Sequence, residues 1–548
     1  MQKSFRFNKR FWEILPGTTS LFILSLPVVF SFVWPAGVAY FIILFDAYWL
    51  VKAVVMAAHL VAGLFHLKRN IAIDWLKRCQ ATADLKALAL DFKGQYQGSF
   101  GFQAAKHYED WQEVEEMLKH PGRFKHWKKV LHGVMFAVYK EGPEILKPSL
   151  EAVINSSYPK ERVIIIIALE ARAGETQRQM VEELQAAYRS QVKDFLVYVH
   201  PEALPGEIKA KGANVSWAAR HFKDYLELAN ISQEEVILSI FDADTIVHPQ
   251  YLAYLTYKYV VNPDRLRRSY QPIPLFNNNI WQVPAINRLV AFSSSFWQMI
   301  EATRPYRLVT FSSQAIPMKT LVDIDFWDKT VVNEDSQIFY RAYFHFNGDY
   351  KVVPLFIPVS MDAVLGKGFW ATVKAQYLQK RRWAYGIEHF PYLVKQFQVK
   401  KGLMSLWQRF VWIARLFEGH VSWATASLLI ASGGWMPILL NSGFRETVLA
   451  FNLPVLARNV LSFTWIGVLV SGWIGFQLLP KRQRPVRYKL LEYFAQWILV
   501  PINGIFFGSI PALDAELRLM LGRYLGFRVT EKERKGSLQE GVVELGSS

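Results

Sequence analysis

From Thr18 to Leu67 the chain is almost unbroken apolar sequence, its only ionisable side chains being Asp46, Tyr40, Tyr48, Lys52, His59 and His66. About 20 helical residues cross a bilayer's hydrocarbon core, so this run predicts two membrane helices. Trp34-Pro35 marks the hairpin turn between them, because proline cannot continue a helical hydrogen-bond ladder. A secretory signal peptide does not fit. Its apolar core would run only about 7–15 residues before a small-residue cleavage site.

The pattern then changes twice. Lys68 to Lys129 is polar and helical, with "DWQEVEEMLKH" its clearest amphipathic piece, and carries no recognisable chemistry. From Leu131 to Tyr392 short apolar runs ("VMFAVY", "VIIIIAL", "FLVYV", "EVILSIFDAD", "YKVVPLFI") alternate with helical stretches. Buried β-branched strands separated by helices predict an α/β domain with a mostly parallel sheet, whose ligands collect at the carboxyl ends of the strands. Beyond Lys401 apolar blocks return: "HVSWATASLLIASGGWMPILL" and "VLSFTWIGVLVSGWIGFQLLP" are each long enough to span. "LEYFAQWILVPINGIFFGSIP" is interrupted by Pro501 and Asn503, which predicts a broken, re-entrant or interfacial segment. "LWQRFVWIARLF" (Leu406 to Phe417) and "ALDAELRLMLGRYLG" read as interfacial helices. The resulting divisions are 1–67, 68–129, 130–400, 401–522 and a polar tail, 523–548.

Charge fixes the expected orientation. The net charge of +17 suggests nucleic acid if taken alone, but the basic residues gather at the ends of the apolar blocks. Lys3, Arg6, Lys9 and Arg10 precede the first, Lys68 and Arg69 follow it, and "KRQRPVRYK" separates two later ones. Lys and Arg at span ends mark the cytoplasmic face, which places the polar middle in the cytosol of a bacterial-type inner or plasma membrane, without a nucleic-acid partner. The single cysteine, Cys79, fits a reducing compartment and excludes an internal disulfide.

Three short segments carry candidate chemistry. Asp242 and Asp244 follow an apolar strand; in extended chain, alternate side chains share a face, and two such carboxylates suit Mg²⁺ or Mn²⁺ shared with substrate phosphates. A bare D-x-D is more often an acidic turn. Glu334 and Asp335 stand before a helix, either as first-turn acids or as a general base. In "QYLQKRRWAYG", Arg381 and Arg382 offer guanidinium forks to phosphate and Trp383 a stacking face, although a cationic aromatic helix on a membrane surface reads the same way.

Order and spacing separate these readings. Asp242-x-Asp244, then Glu334-Asp335, then Gln379-x-x-Arg382-Trp383, on an α/β domain flanked by spans, resembles the membrane-embedded family 2 glycosyltransferases, which include cellulose, chitin and hyaluronan synthases. The resemblance runs from about His132 to Lys532 and implies a GT-A-like α/β domain. It implies that Asp335, with Glu334 beside it, takes the acceptor proton. Asp244 and Asp242 would hold the divalent metal, and Trp383 would seat the acceptor sugar. "FAVYKEG" resembles the family's Y-N-E segment and implicates Tyr139 and Glu141 at the nucleotide, with Lys140 where asparagine is usual. Glu170 stands where the family commonly has an aspartate reading uracil or ribose. "IKAKGANVSWA" resembles the lysine-asparagine segment near the diphosphate, implicating Lys211 and Asn214; Gln379 and Arg382 complete that group.

"FRVTEK", Phe527 to Lys532, matches the F-x-V-T-x-K gating-loop motif of the processive members and implies phosphate contacts from Thr530 and Lys532. The implied reaction is inverting transfer from a nucleoside-diphosphate sugar, UDP-linked hexose or N-acetylhexosamine, to a growing polysaccharide, with export through the protein's own helices. Two other readings stand beside it: single addition to a lipid-linked or short glycan acceptor, and an inactive membrane binding or transport protein.

Overall fold

The structure, a computed structural model, describes residues 8–400, 402–480 and 490–526. It begins with two long helices, α1 (Lys9–Val33) and α2 (Pro35–Ile71), separated only by Trp34. Pro35 opens α2, a position where its missing N–H would have had no helical partner anyway. Three polar helices follow: α3 (Trp75–Ala81), α4 (Leu85–Gln97) and α5 (Gly101–Leu118). Buried Asp110 of α5 meets Arg69 at 3.1 Å and Arg78 at 3.2 Å, so it pins these helices to the end of α2. A carboxylate removed from water needs such partners.

The α/β domain then unfolds in the order β1 (Leu131–Val138), α6 (Pro143–Ile154), β2 (Val163–Glu170), α7 (Glu175–Tyr188), β3 (Asp194–His200), α8 (Lys211–Leu228), β4 (Val236–Asp242) and β5 (Ile246–Val247). It continues with α9 (Tyr251–Val260), β6 (Arg268–Leu275), α10 (Ala285–Ala302), β7 (Ala315–Pro317), α11 (Met318–Asp323), α12 (Glu334–His345), β8 (Lys351–Ser360), α13 (Phe369–Ala384) and α14 (His389–Val399). The eight strands form one sheet, ordered β3-β2-β1-β4-β7-β6-β8-β5. Pairings β3-β2, β2-β1, β1-β4 and β6-β8 are parallel, whereas β7 runs antiparallel to both β4 and β6 and β5 is antiparallel to β8. The sheet is therefore mixed, with its long pairings parallel.

Alternation in β2 shows why the sheet is covered on both faces. Ile164 and Ile166 join a core with Phe222 of α8, while Ile165 and Ile167 join the opposite one with Leu150 of α6. Sequential parallel strands leave their carboxyl ends on one edge, where Tyr139, Glu170 and Asp242 stand.

After the domain come α15 (Leu406–Ser432), α16 (Met436–Leu440), α17 (Ser442–Arg445) and α18 (Val448–Leu478). α15 fuses two segments expected to be separate, the interfacial Leu406–Phe417 and the span beginning at His420. A Ser405–Gln408 capping box starts it, and only Gly419 lies at the join, which a helix tolerates. The last helices, α19 (Leu490–Ala495), α20 (Val500–Asn503) and α21 (Ile510–Met520), join through a 3₁₀ turn and a π-helical turn into one path. Pro501 does not break it, because the preceding 3₁₀ turn takes up the irregularity proline imposes.

Among the described residues five stretches are long and apolar enough to cross a membrane: Lys9–Val33, Pro35–Ile71, Leu406–Leu440, Val448–Leu478 and Leu490–Met520. The fifth touches the α/β domain at three points along its path. Trp497 stacks on Phe292 and Phe296 of α10 at 5.8 and 6.1 Å, and Asn503 donates to the Ile286 carbonyl at 2.8 Å. At its far end Asp514 meets Arg381 at 2.9 Å and Tyr377 at 3.0 Å, both on α13. Start, middle and end of this path all rest on the α/β domain. α21 also lies along α1: Arg10 donates to the carbonyls of Leu519 and Met520, and Ser20 donates to Glu516 at 2.5 Å. Gly17 permits that approach, since a Cβ there would meet the Glu516 carbonyl at 3.1 Å.

Candidate active site

Strand β4 delivers Asp242 to the carboxyl edge, and there the extended chain ends. The Thr245 N–H closes a turn onto the Asp242 carbonyl at 3.0 Å, so Asp244 lies inside a turn. The expected strand alternation does not govern this pair. Asp244 is fully buried and accepts the Asp362 N–H at 2.8 Å, while Asn278 bridges the Asp244 carbonyl and the Asp362 carboxylate at 3.0 Å each. Asp242 faces a more open space. It accepts from Ser312 at 2.9 Å and from the Lys211 ammonium at 2.8 Å.

Lys211 is the first residue of α8, and its ammonium also reaches Asp335 at 3.3 Å. Burial works against its charge, but Asp242, Asp335 and Glu334 outweigh that and hold its pKa above the ordinary lysine value. This lysine therefore links the first carboxylate motif to the second. Gly212 makes the contact possible: a Cβ there would lie 3.0 Å from the Glu334 Cβ and 3.1 Å from the Asp328 carbonyl.

Glu334 and Asp335 open α12 with unequal surroundings. Glu334 is 3% exposed, and burial together with the adjacent Asp335 charge pushes its carboxyl well above the usual range. Asp335 stays accessible, its backbone carbonyl held by Thr310 at 2.6 Å and Gln314 at 3.1 Å. The Glu388 carboxylate accepts the N–H groups of Val332 and Asn333 at 3.1 Å, and Asn333 donates to the Arg382 carbonyl at 3.0 Å. The helix of Gln379, Arg382 and Trp383 is thus tied directly to the start of α12.

The other sequence candidates divide. Arg172 pairs with Glu170 and lies 4.4 Å over the Tyr139 ring, so Tyr139 and Glu170 meet at the ends of β1 and β2. Glu170 and Arg172 line a cleft of ≈ 280 Å³ together with His200 and Lys209. Glu141 caps its own turn, accepting from the N–H of Tyr139 at 2.7 Å and of Lys140 at 3.1 Å. Asn214, expected near the diphosphate, is instead buried inside the domain, where its amide donates to the Ala168 carbonyl at 2.7 Å and fastens α8 to β2. Arg381 is held by Asp514 rather than free for phosphate. Gln379 accepts from Gln376 at 3.0 Å, and the Trp383 ring centroid lies 6.0 Å from that of Phe276. Thr530 and Lys532 fall outside the described residues; Leu525 packs in the cluster of Tyr385 and Phe390. Sequence reading missed Arg172, Thr310, Ser312, Gln314 and Glu388. All lie in loops or short turns, where no periodicity flags a residue.

Among the described residues no three His, Cys, Asp or Glu side chains are grouped to hold a metal ion. Asp242 and Asp244 supply carboxylate oxygens only, the hard donors that fit Mg²⁺ or Mn²⁺ completed by substrate phosphate.

Similar solved structures include the mannosyltransferase PcManGT from Pyrobaculum calidifontis in complex with GDP-Man and Mn²⁺: 15% identity, TM-score 0.37, 76% of this chain and 99% of that one. TarS 1–349 of S. aureus in complex with UDP-GlcNAc shows 11% identity and a TM-score of 0.33 over 75% and 98%. GalNAc-T7 with UDP, GalNAc and Mn²⁺ shows 14% identity and a TM-score of 0.31 over 53% and 58%. Among curated proteins none matches the sequence significantly. Residues 237–507 match the family model of glycosyl transferase family group 2. That stretch holds both carboxylate motifs and the Gln379, Arg382 and Trp383 helix, and over it the chain is similar to the family 2 glycosyltransferases.

Proposed function

We propose that the protein is a membrane-embedded synthase that transfers a sugar, with inversion, from a nucleoside-diphosphate donor, UDP-linked in the first instance, onto a growing polysaccharide. The observation that carries this is the single cluster formed by Asp242, Lys211 and Asp335 at the carboxyl edge, with the Arg382 helix tied to it through Asn333. The acceptor hydroxyl forms the new bond to the anomeric carbon, the bond to the diphosphate breaks with its electron pair, and the proton passes to Asp335. The Lys211 ammonium, 3.3 Å from that carboxylate, holds it in place for the step. A protonated Glu334 spares it a neighbouring like charge. Asp244 and Asp242 would hold a divalent cation, which when bound neutralises charge on the leaving diphosphate. Arg382 supports the same charge, Tyr139 and Glu170 flank the nucleoside, and Trp383 seats the acceptor.

The membrane setting rests on the apolar stretches and on the basic residues at their ends. Leu490–Met520, resting on the α/β domain throughout, reads as an interfacial belt that keeps the tail on the domain's side. Thr530 and Lys532 are proposed diphosphate contacts on the strength of their motif. The test uses the purified full-length protein with UDP- and GDP-sugars and Mg²⁺ or Mn²⁺, scoring nucleotide release and product length. A ladder reaching high mass is expected; one added sugar would make it a single-addition transferase, and no release from any donor would sink the reading.

Glu334 gives this site an expected pH dependence. With its pKa raised, it holds its proton past the point where an unfolded glutamate ionises, so it favours the folded state below about pH 4.3, and that contribution is lost as pH rises through the folded value. Ionisation also sets a second negative charge beside Asp335 and the donor diphosphate. kcat/KM is expected to fall on the alkaline side. Glu334→Gln should flatten that limb, and superimposable pH profiles for the two proteins would refute the assignment.

A further inference from the structure

We propose that Lys380 recognises an anionic group, carboxylate or phosphate, carried by the acceptor beside the sugar that Trp383 seats; this rests on the reading of Trp383 given above. Lys380 and Trp383 are three residues apart on α13 and so share a helical face. The Lys380 ammonium lies 5.0 Å from the Trp383 ring centroid and 5.3 Å from that of Trp423 on α15. It stands between the proposed acceptor platform and the apolar helices.

Among the described residues no carboxylate or hydrogen-bond acceptor engages this ammonium, and burial alone pulls its pKa down to about 8. Comparable lysines of the domain have found partners: Lys211 with Asp242 at 2.8 Å, Lys258 with Glu113 at 2.5 Å and Lys329 with Glu207 at 2.5 Å. The next residue, Arg381, has Asp514. Two indole faces attract a cation but accept none of its three N–H donors in the manner of an oxygen. For packing alone, methionine would fill the same space against the indoles without a desolvated charge. What the lysine adds is a strong charge-assisted donor, and it is aimed where an acceptor would pass.

Such an anion can come from a uronate within the glycan or from the phosphate of a lipid-linked acceptor. The test titrates the purified full-length protein, followed by tryptophan fluorescence, with a neutral N-acetylglucosamine disaccharide, a glucuronate-containing disaccharide and a sugar phosphate bearing a short isoprenyl chain. Tenfold or tighter binding of an anionic probe over the neutral one is expected. That preference should shrink to within twofold in Lys380→Met and survive in Lys380→Arg, with the thermal midpoint of Lys380→Met at or above wild type. Preference for the uronate alone assigns a charged glycan, preference for the phosphate alone a lipid-linked acceptor, and both together the shared chemistry. Absence of any preference in the wild type, or its persistence in Lys380→Met, overturns the proposal; if that variant fails to fold, Lys380→Gln gives the same reading. Nucleotide release from donor sugars is scored separately, so a protein that hydrolyses them yet ignores acceptor charge refutes Lys380 alone.

Discussion

Replacing Asp335 with asparagine is expected to lower sugar transfer by about 10²–10⁴-fold, the range general-base catalysis supplies, while the donor still binds. Asparagine keeps the shape at the start of α12: the bonds from Thr310 and Gln314 to the backbone carbonyl stay, and the amide oxygen can accept the contact that Gln314 also makes to the side chain at 3.4 Å. Lys211 retains Asp242 as its partner at 2.8 Å. What disappears is the carboxylate proposed to accept the proton. Donor binding by calorimetry with near wild-type affinity, alongside lost turnover, is the expected pair of results. A variant that still turns over would move the base elsewhere.

Asp244→Asn is expected to lower turnover by about 10³-fold, corresponding to several kcal/mol of electrostatic stabilisation, and to remove the response to divalent ions. The side chain accepts the Asp362 N–H at 2.8 Å, and the amide oxygen of asparagine can accept the same bond. The fold should therefore survive, with an unchanged thermal midpoint. Nucleotide release against Mn²⁺ concentration, with chelated wild type as the reference for full loss, reads the effect. Retention of the wild-type metal dependence would rule out Asp244 as the ligand.

Much of the fold could be read from side-chain pattern because the pattern and the packing share a cause. "VIIIIAL" has no polar face, and it became a strand covered on both sides. Trp34-Pro35 became the turn between α1 and α2 because proline's constraint is local. β7 could not be found this way: three residues carry no period, and their direction depends on β4 and β6 beside them. The fusion of two expected helices into α15 was hidden because an interfacial face and a spanning face differ in surroundings, not in backbone propensity. At the site, the residues named from their chemical type lie at the strand edge, in the turn after β4, at the starts of α8 and α12 and in the last turns of α13. Those that orient them, such as Ser312 and Glu388, act through one or two hydrogen bonds from a loop or a short turn, where a serine or glutamate carries no sign of its partner. Asn214 is ambiguous for the related reason that an amide serves a backbone carbonyl, here that of Ala168, as readily as a phosphate.

The pairing of α1 with α21 has a consequence for how the molecule is made. Arg10 bonds to carbonyls 509 and 510 residues further along, and Ser20 bonds to Glu516. At roughly 5–20 residues per second, the ribosome needs about 25–100 s between the two helices. During that interval the newborn first helix presents Ser20 without Glu516, and Glu13 without the Tyr524 hydroxyl that later donates to it. α21 also supplies Asp514, which grips Arg381 on the helix of Trp383. A half-made chain thus lacks the strut that steadies the helix of Arg381, Arg382 and Trp383, and that side of the candidate site is complete only when the last helix is in place.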